Sequence, residues 1–146
     1  MADFALFRDV MRAAALGDAE RANQLDNRIE DADRSSYDIF VTAMFCGAVA
    51  HRFENDQSRE AISRFVDEMR YDYRNAQPPV KPMAMEGTIR AVFGEEHLLD
   101  EIDGAEQLRH QFLAIRKIVH QSESMKSNLD GYLSDAEKLA REWMSA

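Results

Sequence analysis

Residues 37–53 read YDIFVTAMFCGAVAHRF, a helix-length segment that is apolar on every side. Such a helix cannot face water, so it must stand at the centre of a bundle whose other helices cover it. Its longest uncharged run, residues 39–50, falls well short of the roughly 20 residues that cross a bilayer, so the segment reads as core. Ser35 and Asp38 form an S-x-x-D pattern that predicts the opening of this helix. The central helix is therefore expected at about 36–53.

Upstream, Phe4, Phe7, Met11 and Ala14 recur at helical spacing behind Asp3, which predicts a capped helix over 3–16 that Gly17 ends. Asp18 opens a more polar, peripheral helix to about residue 31. Downstream, Phe65, Val66, Met69 and Tyr73 follow Ile62 by 3, 4, 7 and 11 residues, the cleanest amphipathic pattern in the chain. It predicts a helix over 58–74. The proline-rich stretch 77–82 cannot continue it, whereas Pro82 suits the first turn of a fifth helix ending at Gly94. After the acidic connector EEHLLDEID, Asp103 and Glu106 predict another capping box and a helix to 121, with Leu108, Phe112, Ile115 and Val119 inward. A final helix carries Leu129, Leu133, Ala136, Leu139, Ala140 and Trp143, with Ser134 and Glu137 placed to restart it after Gly131.

These patterns give an all-α fold: one domain over residues 1–146, a bundle of about six or seven helices around the buried helix at 36–53. Six glycines and three prolines are too few for the turns of a β or α/β topology. Hydrophobic residues at 45% and charged residues at 31% mark a folded chain rather than a disordered one. A chain of this length buries roughly 68–70% of its unfolded surface, so it needs neither metal nor disulfide to fold.

The net charge is −9, from 27 acids against 18 bases, and both halves of the chain are acidic. Duplex nucleic acid and anionic membranes are held by cationic patches, so neither is expected as a partner. Cys46, the lone cysteine, sits inside the apolar segment. It reads as an inert buried thiol suited to a reducing compartment. Asp3, Arg8 and Asp9 interrupt the apolar run that a secretory signal would need, and a cytoplasmic location is expected.

Chemistry-bearing patterns are sparse. His51, His97, His110 and His120 form no H-x-x-x-H or E-x-x-H pair, so no metal is expected. No G-x-S-x-G elbow occurs, and the glycines at 17, 47, 87, 94, 104 and 131 are too scattered to cradle phosphate. No catalytic residue or cofactor is expected, and the chain leans away from being an enzyme. His97, His110 and His120 are expected at the surface or rim. Arg64–Glu68, Glu86–Arg90 and Glu137–Arg141 have the i,i+4 spacing of ordinary helix support. Arg64, Arg70, Tyr71 and Arg74 form the one local cluster of bases with an aromatic, but interleaved acids predict a salt-bridged face. Pro79-x-x-Pro82 reads as a stiff connection between two helices.

The candidate binding residues are His51, Arg52, Arg90 and Arg116. His51 and Arg52 end the central helix, beside a small-residue face of Ala43, Gly47 and Ala50. That face predicts either the close approach of another helix or a groove with His51 and Arg52 at its mouth. Arg90 and Arg116 lie beside apolar stripes and are expected half-buried, each paired with an acid. Two readings of function follow. The first is a non-enzymatic interaction or regulatory module that binds a protein partner or self-associates near Trp143. The alternative is a small-molecule binder with a pocket between helices near His51 and Arg52.

Overall fold

A computed structural model of the chain describes residues 2–146. Eight α-helices and two short 3-10 helices make up the described residues, which contain no strand. Helix α1 spans Phe4–Ala15, and the Asp3 carboxylate accepts the Leu6 N–H at 3.1 Å to cap it. Gly17, at φ +82°, takes the left-handed turn that ends the helix and lets the Asp18 N–H reach the Ala13 carbonyl at 2.9 Å. Asp18 then caps α2, Ala19–Asp26, which is shorter than expected and buries only Leu25.

Helix α3, Arg34–Arg52, is the central post. Its expected capping box does not form: Ser35 lies within the first turn, and the N-cap Asp33 makes no side-chain bond. The cause is the 3-10 turn Asp31–Asp33, which runs straight into the helix and gives the Arg34 N–H the Asp31 carbonyl instead. Phe40, Val41, Ala43, Met44, Phe45, Ala48 and Val49 of α3 are all buried under α1, α6 and α8. The cover is incomplete, because Ile39, Cys46 and Gly47 are half-buried and Ala50 is exposed. An alanine Cβ placed on Gly47 would meet nothing within 4 Å, so no helix approaches there and the small-residue face is not a packing seam at that point.

Helix α4, Arg59–Asp72, keeps the expected stripe inward and is capped by the Ser58 hydroxyl, which accepts the Ala61 N–H at 3.1 Å. Helix α5, Pro82–Val92, begins on its proline and stops before Gly94 at φ +106°. The acidic connector is a 3-10 helix, Glu96–Glu101, laid across α5 where Gly87 leaves room for Ile102. Helix α6 is Gly104–Gln121, but Asp103 makes no side-chain cap, and Glu106 instead takes Lys81 Nζ at 2.5 Å. A short α7, Glu123–Ser127, precedes α8, Leu129–Ser145, which runs through Gly131 without the expected restart.

Aromatic packing pins α3 at both ends. Phe7 meets Phe4 and Tyr37 edge-on, each at 5.3 Å between ring centres, while Phe53 meets Phe65 at 5.5 Å at the other end. Among the described residues no helix is long and apolar enough to cross a membrane.

Candidate functional site

The four candidate residues do not converge. Arg90 is satisfied where it stands: its guanidinium grips Glu95 through two bonds of 2.7 and 2.5 Å, with Glu86 at 3.6 Å. The expected half-buried arginine–acid pairing holds for Arg90, and that leaves the group little capacity for a ligand.

His51 and Arg52 do line one cleft, between the end of α3 and the α6–α7 junction. His51 is fully engaged there, with Nε2 3.0 Å from Ser122 Oγ and Nδ1 3.2 Å from the Tyr132 hydroxyl. Ser122 Oγ also accepts the Met125 N–H at 3.1 Å, as the cap of α7. The imidazole thus ties α3 to both C-terminal helices. Arg52 lies over the rings of Phe53 and Phe65, 5.3 Å from each centre, and reaches Glu68 at 3.8 Å. This cleft, about 670 Å³, is open and mostly polar. It lacks the apolar enclosure that holds most small ligands.

Arg116 is placed differently. It was expected half-buried, but it is exposed, and its neighbour Lys117 is buried in its stead, at 5% exposure. Lys117 Nζ bonds Asp72 and lies 3.3 Å from Glu68, both on α4. Glu68 is thereby drawn away from Arg64, which turns to Asp56 at 3.9 Å, so the expected Arg64–Glu68 pair is not made.

Arg116 stands where two cavities meet. Its guanidinium rests on Gly17, with Nη2 3.5 Å from where a Cβ would sit. On one side is a cleft of about 710 Å³ between the end of α1, the end of α4 and α6, walled by Arg74, Arg116, Lys117, His120 and Lys126, with Asp72 among them. On the other side a cavity of about 340 Å³ runs beneath α2, walled mainly by Val10, Ala14, Ala22, Tyr37, Phe112 and Leu113, with Asn23 and Asp26 also in its lining. Gly17 and Arg116 line both, so the two spaces adjoin at the guanidinium.

In an acidic chain this gathering of cations has a physical cause. The carbonyl-rich ends of α1 and α4 carry partial negative charge, which favours basic side chains beside them. Lys117 and Lys126 are spent on Asp72, Glu68 and Glu123. Arg74 bonds only a carbonyl, that of Tyr71 at 2.8 Å, and stacks on the Tyr71 ring at 4.4 Å. Among the described residues no carboxylate lies within 4.0 Å of the Arg74 or Arg116 guanidinium.

The cavity beneath α2 has its own unsatisfied group. Tyr37 is 3% exposed, and its hydroxyl is the one buried side-chain polar atom without a hydrogen-bond partner among the described residues. Burial, reinforced by the Asp26 carboxylate, pushes this phenol far above its ordinary range, so it stays a neutral donor.

Sequence reasoning found Arg116 but not its setting. Arg74 belonged to the basic cluster seen in the sequence, which the fold disperses: Arg70 pairs with Asp67 at 3.8 Å and Arg64 with Asp56. Tyr37 gave no signal, because a tyrosine in an apolar helix reads as core. His110, expected at the rim, is fully buried and accepts the Lys81 N–H at 3.1 Å through Nε2. Compared with models of protein families, with curated proteins and with solved structures, the chain matches none.

Proposed function

We propose that the protein is a non-catalytic binder of a small anionic ligand, held in the Arg116 cleft. This is the small-molecule reading of the sequence, moved from His51 and Arg52 to the other side of α6. The observation that carries it is the pair of arginines, Arg74 and Arg116, that face a cleft of about 710 Å³ with no carboxylate within 4.0 Å of either. A cleft of this size suits an ordinary metabolite. A protein of net charge −9 that leaves two guanidinium groups free in one concavity has a built preference for small anions over polyanions. The lone Cys46, which has no partner for a disulfide, supports a reducing, cytoplasmic setting.

The test is a thermal-shift panel of carboxylates, sulfate and inorganic phosphate at low ionic strength. A ligand bound only by the native state raises the melting temperature with its concentration. The expected result is a rise with at least one anion that the Arg116→Ala variant loses. A panel with no rise, or one that Arg116→Ala leaves unchanged, overturns the reading.

One observation favours the interaction reading as a second function. Trp143 and Met144, 42% and 41% exposed, end α8 beside a shallow groove that includes Ile39 and Leu108. Self-association through this end predicts a dimer by light scattering that Trp143→Ala converts to monomer, and a wild-type monomer at high concentration counts against it.

A further inference from the structure

We infer that the ligand is an amphipathic monocarboxylate, its head on Arg116 and its apolar tail in the Tyr37 cavity. This rests on the anion-binding reading and deepens it. The two spaces share Gly17 and Arg116, so a head group held by the guanidinium lies beside a chamber walled mainly by Val10, Ala14, Ala22, Phe112 and Leu113, with Asn23 and Asp26 also lining it. A mainly apolar chamber beside a cation that has no carboxylate partner matches a molecule that is charged at one end only.

Three features narrow the class. The first is charge: the Asp26 carboxylate lines the second cavity and repels a second negative charge at the tail end, so the ligand is charged only where Arg116 meets it. Planar bidentate pairing with a guanidinium is natural to a carboxylate. The second is size. The chamber holds about 340 Å³, and at roughly 30 Å³ for each water-sized unit the tail has on the order of ten non-hydrogen atoms. The third is the Tyr37 hydroxyl, which lacks a partner although it is buried. A hydroxyl left unpaired in an apolar setting costs stability, and a carbonyl or ether oxygen partway along the tail would take its proton. An oxo- or alkoxy-carboxylate of medium chain length, or an aryl-alkyl counterpart, therefore suits the Arg116 guanidinium and the Tyr37 hydroxyl together. Gly17 permits the arrangement, because its φ of +82° turns the chain while its missing side chain leaves the junction unobstructed beside Arg116.

The experiment is calorimetric titration of the full chain with acetate, hexanoate, octanoate and decanoate, with octanol and inorganic phosphate as controls. Each added methylene is expected to tighten binding about fourfold until the chamber is full. Octanol is expected to bind at least tenfold more weakly than octanoate, and Arg116→Ala to erase that difference. A mid-chain keto analogue of decanoate is expected to bind more tightly than decanoate to the wild type but equally to Tyr37→Phe. If acetate and phosphate bind as well as decanoate, the tail assignment is overturned while the anion reading stands. If no anion binds, both fall. If octanol matches octanoate, the head assignment fails.

Discussion

His110 accepts the backbone N–H of Lys81 through Nε2 at 3.1 Å, while its Nδ1 lies 2.7 Å from the Glu106 carbonyl. Arg109 on the same turn holds the carbonyls of Pro78 and Pro79, and Glu106 holds Lys81 Nζ. One turn of α6 thus fastens the whole proline-rich connection between α4 and α5, with a neutral, fully buried imidazole as its inner bond.

The buried ring gives the fold an acid sensitivity. Burial lowers the His110 pKa below its ordinary value of 6.5. The unfolded chain therefore takes up a proton at a higher pH than the native one. The stability from the neutral ring is fully present above about 6.5 and is lost as pH falls through the lower native value. The melting temperature is expected to fall more steeply from pH 7 to 5 in the wild type than in His110→Gln. Equal slopes would show that the ring protonates without cost.

Gly47 sits inside α3 with open space where a side chain would be. A glycine in a helix interior costs roughly 0.5–1 kcal/mol relative to alanine. Gly47→Ala is expected to raise the melting temperature by about 1–4 °C. A decrease would mean that another surface closes on that face in solution.

Lys117 carries its charge to a site that is 5% exposed, between Glu68 and Asp72. Lys117→Ala leaves those two carboxylates facing each other beside a void, at an expected cost of about 2 kcal/mol in urea denaturation. Lys117→Met refills the volume and is expected to cost less. Identical losses would assign the effect to the missing charge alone.

Cys46 is half-buried, and burial raises its thiol pKa. Only the thiolate reacts, so labelling by a disulfide reagent at pH 7.5 is expected to be at least about tenfold slower than for free cysteine, and to become fast in urea. Rapid labelling of the native protein would place the thiol in the open.

Where a helix announced itself through a local bond, the sequence was legible. Asp3, Asp18 and Ser58 each cap the helix that their spacing predicts, and the stripe from Ile62 to Met69 faces inward as read. The errors came where a distant element decided the outcome. Ser35 lost its capping role to the 3-10 turn before it, and Glu106 left Asp103 for Lys81 on another segment. In AIRKIV, apolar residues flank both Arg116 and Lys117, and a helix turns about 100° between them. The two acids on α4 settle which one sinks, and no local pattern in α6 records those acids. The candidate cleft was illegible for the same reason: Gly17, Arg74 and Arg116 are remote in sequence and meet through the packing of α1, α4 and α6.

Helix α2 is eight residues long and presses only Leu25 into the core, with the Asp26–Arg34 pair at 2.9 Å as its outer latch. Segments with so few buried anchors detach long before a protein unfolds. The roof of the Tyr37 chamber is therefore held by few anchors. On the ligand reading proposed above, a single leucine and one surface ion pair would set how long a guest stays, and both lie apart from the arginine that would hold its head.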